Sequence, residues 1–523
     1  MSSHIGFARQ GELIKLAYDA FGVLPRKNTE SNGFDETQKK TVQKQLGRLT
    51  KEEGHLSSNA DELIELLSSM LADYLPDARI MAIFGKSMSE LHNTYIDLVR
   101  REGTYLGKAG TLRYFISLKA VFRLVISLNK NLLLYRGADT GLDTPSAPFW
   151  YLPSIEQDGT LTLPLAKVMR WAYEICDSSQ IQFHYPGKNA DSDDYALQQN
   201  LDNAVNWTRG AAFPALPALI KNFNDSFDAM TRCGRDVPTP VQNSILTALV
   251  FARFTSYIAQ RIAQYFDVAY LKDICDQFQK YAVWIAEDMN EFKAEMEPVM
   301  QRQTSEKQAF SIWQHACADY WEFFFDKLEG ATTKLHQLHN TRPGQPLRKE
   351  VVAALTSKYG PFVVCSQIDL TKRQATYSPP DGFADMLRLG FALKRDASTQ
   401  WTQIDEYADQ VSACGLEDHL CWLEPWLRAV YHYRNQEHKS AIDYYQEAFE
   451  KAKYRAGEYQ YDLVNQYVEM AAKNDKWQCF KKGIEWAQYL GIEIRWLRDD
   501  EPTDETLDYV YGMMKMARYD HQM

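Results

Sequence analysis

An all-α fold follows from three features of this 523-residue chain. Apolar residues recur at helical rather than alternating spacing through most of its length. Between Phe383 and Leu490, six amphipathic segments alternate with short turn signals. Proline and glycine concentrate in two places, 137–165 and 341–382. The expected architecture is a multi-helical N-terminal and central body with a small β-hairpin insertion, followed by an α-solenoid tail. The divisions are an N-terminal helical domain (1–136), a Pro/Gly-rich break holding the hairpin (137–165) and a central long-helix domain (166–340). A linker (341–382) and a helical-hairpin array (383–523) complete them.

In chain order, a short helix is expected over Gln10–Phe21. Asn59 is the expected N-cap of the next, with Glu62 three residues on as a capping-box partner and an end near Tyr74. Helices follow at Ala78–Glu102 and Thr111–Tyr135; the second is apolar on nearly all sides and reads as a core helix. Trp150–Ile155 and Thr160–Leu163 flank Asp158-Gly159, a tight-turn dipeptide. Helix resumes at Ala166–Cys176 and Tyr195–Trp207, and long helices fill Pro240–Thr333. Within the linker, Phe362-Val363-Val364-Cys365 reads as a short strand. Polar Asp499, Asp500, Asp504 and Glu505 precede a final helix, Glu505–Tyr519.

Composition sets limits on function. A 45% hydrophobic, 24% charged chain of this length builds two to four domains and is not wholesale disordered. No run of 18 uncharged apolar residues is present, so no transmembrane helix is expected. Eight scattered cysteines without a CxxC pair, and a start lacking a signal-peptide pattern, point to a cytoplasmic protein with reduced thiols. The net charge of −11 opposes sequence-independent nucleic-acid binding by the whole surface. The first 150 residues are nonetheless slightly basic, and the acidic excess lies beyond them.

The tail pairs Phe383–Arg395 with Gln400–Ala413, Leu420–Asn435 with His438–Lys453, and Gln460–Lys473 with Lys476–Leu490. Gly415, Gly457 and Gly491 fall just past helix ends, where positive φ is favoured. Ala441-x3-Tyr445-x2-Ala448 and Phe480-x3-Ile484-x2-Ala487 occupy equivalent places. This segment resembles tetratricopeptide-type helical repeats, although Phe480 replaces a small residue and the spacing exceeds the family's period of about 34 residues. The resemblance implies peptide or partner-protein binding on a concave helical face, with Trp426, Tyr433, Tyr444 and Trp486 as candidate groove residues. The leading expectation is a non-enzymatic adaptor or regulatory subunit binding a partner protein through this tail.

Two other classes compete. Lys119, Arg123 and Lys130 lie within about 40° of one another on a helical wheel, a basic stripe able to meet nucleic acid or another anion. Gln199–Ile220 also resembles the recognition end of a repressor-type helix-turn-helix, through Leu201, Val205, Trp207, Gly210, Pro214 and Leu219. Together they suggest a nucleic-acid-associated regulator, or a component of a DNA-handling or antiviral defence complex. The third class is an enzyme whose site is assembled from distant residues. No GxSxG elbow, GxGxxG loop or complete P-loop is present: Gly85-Lys86-Ser87 lacks the first glycine. Cys414, Asp418, His419 and Cys421 are the best metal cluster, beside His315/Cys317 and His336/His339, but none has zinc-site spacing. Neither a metal nor a cofactor is expected.

Overall fold

The computed structural model describes residues 5–23, 36–51, 56–75, 77–134, 143–156, 159–186, 194–303, 305–341, 345–497 and 503–517. An N-terminal group comprises α1 (Gln10–Phe21), α2 (Glu36–Lys51), α3 (Leu56–Ala72) and α4 (Ala78–Arg101). Next come α5 (Lys108–Phe115), a π-helical turn (Ile116–Ala120) and α6 (Val121–Leu134). Strands β1 (Ser154–Ile155) and β2 (Leu161–Thr162) pair antiparallel, with Ser154 opposite Thr162. The centre contains α7 (Pro164–Ile175), α8 (Gln180–His184), α9 (Asp194–Thr208), α10 (Leu216–Arg232), α11 (Thr239–Tyr265), α12 (Val268–Gln301) and α13 (Glu306–Thr341). Two further helices, α14 (Lys349–Tyr359) and α15 (Pro361–Gln374), precede the tail. The tail is α16 (Phe383–Arg395), α17 (Trp401–Ala413), α18 (Glu417–Leu420), α19 (Leu423–Arg434), α20 (His438–Ala452), α21 (Gln460–Lys473), α22 (Trp477–Leu490) and α23 (Asp504–Met516).

The fold is therefore all-α with one small hairpin, and the expected helix boundaries mostly hold within a residue or two. The hairpin turn passes through Gly159 at φ +83°. Asn59 does not cap: α3 begins at Leu56 and Asn59 lies inside it. The helix expected over Thr111–Tyr135 contains the π turn, which withdraws a carbonyl from the α-helical ladder. Gln277 of α12, fully buried, donates its side-chain amide to the Ser117 carbonyl at 2.8 Å.

The expected strand at Phe362–Cys365 is the first turn of α15. Pro361 supplies a preset φ at the helix start, and the Asp288 carboxylate of α12 accepts the Phe362 N–H at 3.0 Å. Phe362 and Val363 are then buried in the core formed with α12 and α13, and Val364 is buried as well, so tertiary packing overrides their β propensity. The segment expected to be a linker thus contributes two packed helices, and α15 belongs to the central core.

Three large apolar clusters organise the chain. One gathers α6, α12, α13 and α15; a second gathers α7 to α11. The largest joins α1–α4 to the whole C-terminal array, so the tail shares a core with the N-terminal helices. A buried cation fastens α11 to this N-terminal group. The Arg253 guanidinium donates to Pro214 O and Asp19 O at 2.8 Å and to Ala20 O, reaching carbonyls at the end of α1.

A cleft between the array and the end of α4

The array is assembled by close approach of small residues. Ala441 and Ala448 of α20 are buried against α19, and Gly390 of α16 leaves room for Leu423. A side chain at Gly483 of α22 would overlap Val468 of α21. Consecutive helices pack pairwise as α16/α17, α19/α20 and α21/α22, with α23 against α21. Gly415, Gly457 and Gly491 adopt φ of +67°, +53° and +65°. At Gly457 the requirement is double, because a Cβ would also run into the Gly103 backbone.

Two of the four expected groove residues are core residues. Trp426 and Trp486 have relative exposures of 0% and 1%. The Trp426 indole N–H donates to Gln466 Oε1 at 2.8 Å, and the Lys394 ammonium sits 3.8 Å from its ring centroid. The Trp486 indole donates to Gln460 Oε1 at 3.0 Å and meets the Tyr454 ring edge-on. With both polar tips satisfied inside the fold, these rings act as packing anchors and offer no face to a partner. Tyr433 and Tyr444 are half-buried. Tyr444 stacks on His432, with ring centroids 5.2 Å apart, within a group that includes Trp401 and Arg428.

One side of the array is occupied by the chain itself. Helix α22 packs on α3 and α4, and Gln460 donates to Val99 O at 3.1 Å. The backbones of three distant segments meet beside it: Gly103 bridges Ala456, Ile5 bridges Gly107, and Phe7 N–H donates to Tyr454 O at 2.9 Å. Arg455 ties them together, donating to Ile5 O at 2.7 Å and to the Cys421 sulfur at 2.8 Å. The cation beside this thiol opposes the effect of burial, which dominates and holds its pKa above the usual range.

Where α4 ends against the array, an open cleft of about 530 Å³ remains. Arg100 and Arg101 form one wall; Glu458, Tyr459, Tyr461 and Asp462 form the other. Asp97 pairs with both guanidinium groups: Arg100 also donates to Gly491 O at 3.4 Å, and Arg101, 3.0 Å from the carboxylate, is otherwise exposed to solvent. Tyr459 stacks on Trp422 and packs against Phe391, which fixes its ring. Asp462 lies 3.8 Å from Lys394, whose pKa burial pushes down despite that carboxylate. The cleft therefore presents two guanidinium groups on one wall, and two carboxylates with two tyrosines on the other. An enclosed apolar pocket of the kind that holds small ligands is a different arrangement.

The basic stripe is largely neutralised by neighbours. Lys119 pairs with Glu102 at 2.7 Å and Lys130 approaches Glu90 at 3.4 Å, while Arg123 is exposed. In the helix-turn-helix-like fragment, α9 ends before Gly210 at φ +69°, and Trp207 and Leu219 are buried in the α7–α11 core. Among the described residues, no three His, Cys, Asp or Glu side chains are grouped to hold a metal, and no helix is long and apolar enough to cross a membrane. Gly85-Lys86-Ser87 lies within α4.

The cleft residues themselves were not singled out from the sequence. Arg100-Arg101 ends a helix and Glu458–Asp462 begins another more than 350 residues later, so only the fold brings them together. The chain matches no known family model, no curated protein and no solved structure.

Proposed function

We propose that this chain is a non-enzymatic adaptor or regulatory subunit that binds a partner protein at the cleft between α4 and the array. The observation that carries the reading is the cleft's chemistry: two arginines on one wall, and on the other two carboxylates with two tyrosines, one of them held by stacking on Trp422. Tyrosine and arginine are enriched where proteins anchor partners. A polypeptide segment supplies both charge signs and backbone groups to match such walls. A nucleic-acid strand meets repulsion from Glu458 and Asp462. All eight cysteines are free, consistent with work in a reducing cytoplasm.

Tagged full-length protein and an Arg101→Glu/Glu458→Lys variant, recovered in parallel from native cells with and without nuclease, test this. A stoichiometric partner present with the parent and lost with the variant supports the reading. Recovery of the same partner with both rejects the cleft. Recovery that disappears on nuclease treatment favours nucleic-acid association, with exposed Arg123 the first residue to reverse.

A further inference from the structure

Helix α23 is apolar on two sides. Leu507, Val510 and Met514 are buried on the side facing α21. On another side Tyr509, Met513 and Met516 are 68%, 40% and 84% exposed. Their spacing of four and three residues places them on one stripe. Gly512 lies beside it, with open space where a side chain would project. A bare outer face on a helical array is ordinarily polar, because an apolar one promotes association. The helix is also charged asymmetrically: Asp504, Glu505 and Asp508 occupy its first half and Lys515 its last turn.

This pattern is complementary to itself when reversed. With two such helices antiparallel and crossing at Gly512, Tyr509 of each meets Met516 of the other, an aromatic–thioether contact. Asp508 of each then lies beside Lys515 of the other, and the helix dipoles oppose favourably. Lys515 already contacts Asp475 at 2.7 Å, but that pair is half-exposed on both sides, so it is weak and can be shared. The close approach needs a residue without a side chain at the crossing, which Gly512 provides.

We propose that α23 is a self-association surface through which two copies of this chain pair about a two-fold axis near Gly512. Such an interface is isologous and closes on itself, so it yields dimers and not fibres. Three large side chains per copy bury well under the roughly 800 Å² per partner of a standard stable interface, so the dimer is reversible. The inference is independent of the cleft.

Sedimentation velocity of the full-length protein, from about 1 to about 100 µM, is the test. A monomer–dimer equilibrium is expected across that range. Met513→Glu, at an exposed position, weakens it about a hundredfold, since the axis counts each substitution twice. Lys515→Asp weakens it as well, and adding Asp508→Lys restores it. A monomer throughout the range overturns the proposal, and so does a dimer that Met513→Glu leaves intact. Failure of Asp508→Lys to rescue Lys515→Asp overturns the antiparallel pairing. Circular dichroism confirms that each variant keeps its helices.

Discussion

Arg253→Met tests how the N-terminal helices are held to the centre. The Arg253 side chain is 4% exposed and serves carbonyls of Pro214, Asp19 and Ala20. Two of these belong to the last turn of α1, where carbonyls have no intrahelical donor. Methionine preserves much of the volume and removes every donor. Each abandoned buried acceptor costs about 1–3 kcal/mol, while relief from burying the guanidinium returns part of the sum, leaving about 3 kcal/mol net. Gly22 provides an internal check, because at φ +68° it packs so closely that a Cβ would strike the guanidinium. Gly22→Ala therefore destabilises strongly in the parent and less in the Arg253→Met background, where only the backbone strain of about 1–3 kcal/mol persists. Urea denaturation gives the stabilities, and amide hydrogen exchange reports whether α1 opens first. A loss below about 0.5 kcal/mol with α1 protection unchanged, or strictly additive effects of the two substitutions, would refute the cap.

Three further outcomes are expected. Trp426→Ala should cost about 3–5 kcal/mol in denaturation, as deletion of a fully buried indole does, whether or not a partner is present; binding loss with unchanged stability would contradict its placement in the core. His184, with no exposure and both ring nitrogens bonded to Tyr173 and Ser226, is pushed by burial down to about 3. The unfolded chain takes up this proton near pH 6.5 and the folded one does not, so His184 stabilises fully above that pH. By pH 5 about 2 kcal/mol of its contribution is lost. Asp288, raised to about 6 by burial, works in the opposite direction below that pH. His184→Gln should therefore flatten the fall in stability between pH 6.5 and 5; an unchanged slope argues against the neutral buried imidazole. Gly360→Ala, at φ +97° and against the Asp288 carboxylate, should lower stability by about 2 kcal/mol or more and reduce amide protection at the start of α15; unchanged protection there would remove the Asp288 cap.

Helices of the tail were legible because their apolar spacing is local: Phe383–Arg395 and Gln460–Lys473 match the structure at both ends. Periodicity identifies a face without saying what covers it, so Trp426 and Trp486 looked available and are buried. Phe362-Val363-Val364 reads as strand on composition. Its helical state depends on an Asp288 carboxylate 74 residues earlier and on burial between α12 and α13, neither of which is local information. The π turn is hidden for a related reason, since Gln277 holds the Ser117 carbonyl from 160 residues away. Lys119 and Lys130 formed a stripe on the helical wheel, but Glu102 and Glu90 reach them only in the fold. The cleft lies at the far limit of this scale, with its two walls set by opposite ends of the chain.

Partner recovery with reversed cleft charges decides whether the cleft is the binding surface. Full-length protein and the Arg101→Glu/Glu458→Lys variant, equally folded by circular dichroism, are isolated side by side from native cells with nuclease present. A stoichiometric protein partner is expected with the parent and is lost from the variant. Equal recovery of that partner by both would contradict a role for the cleft.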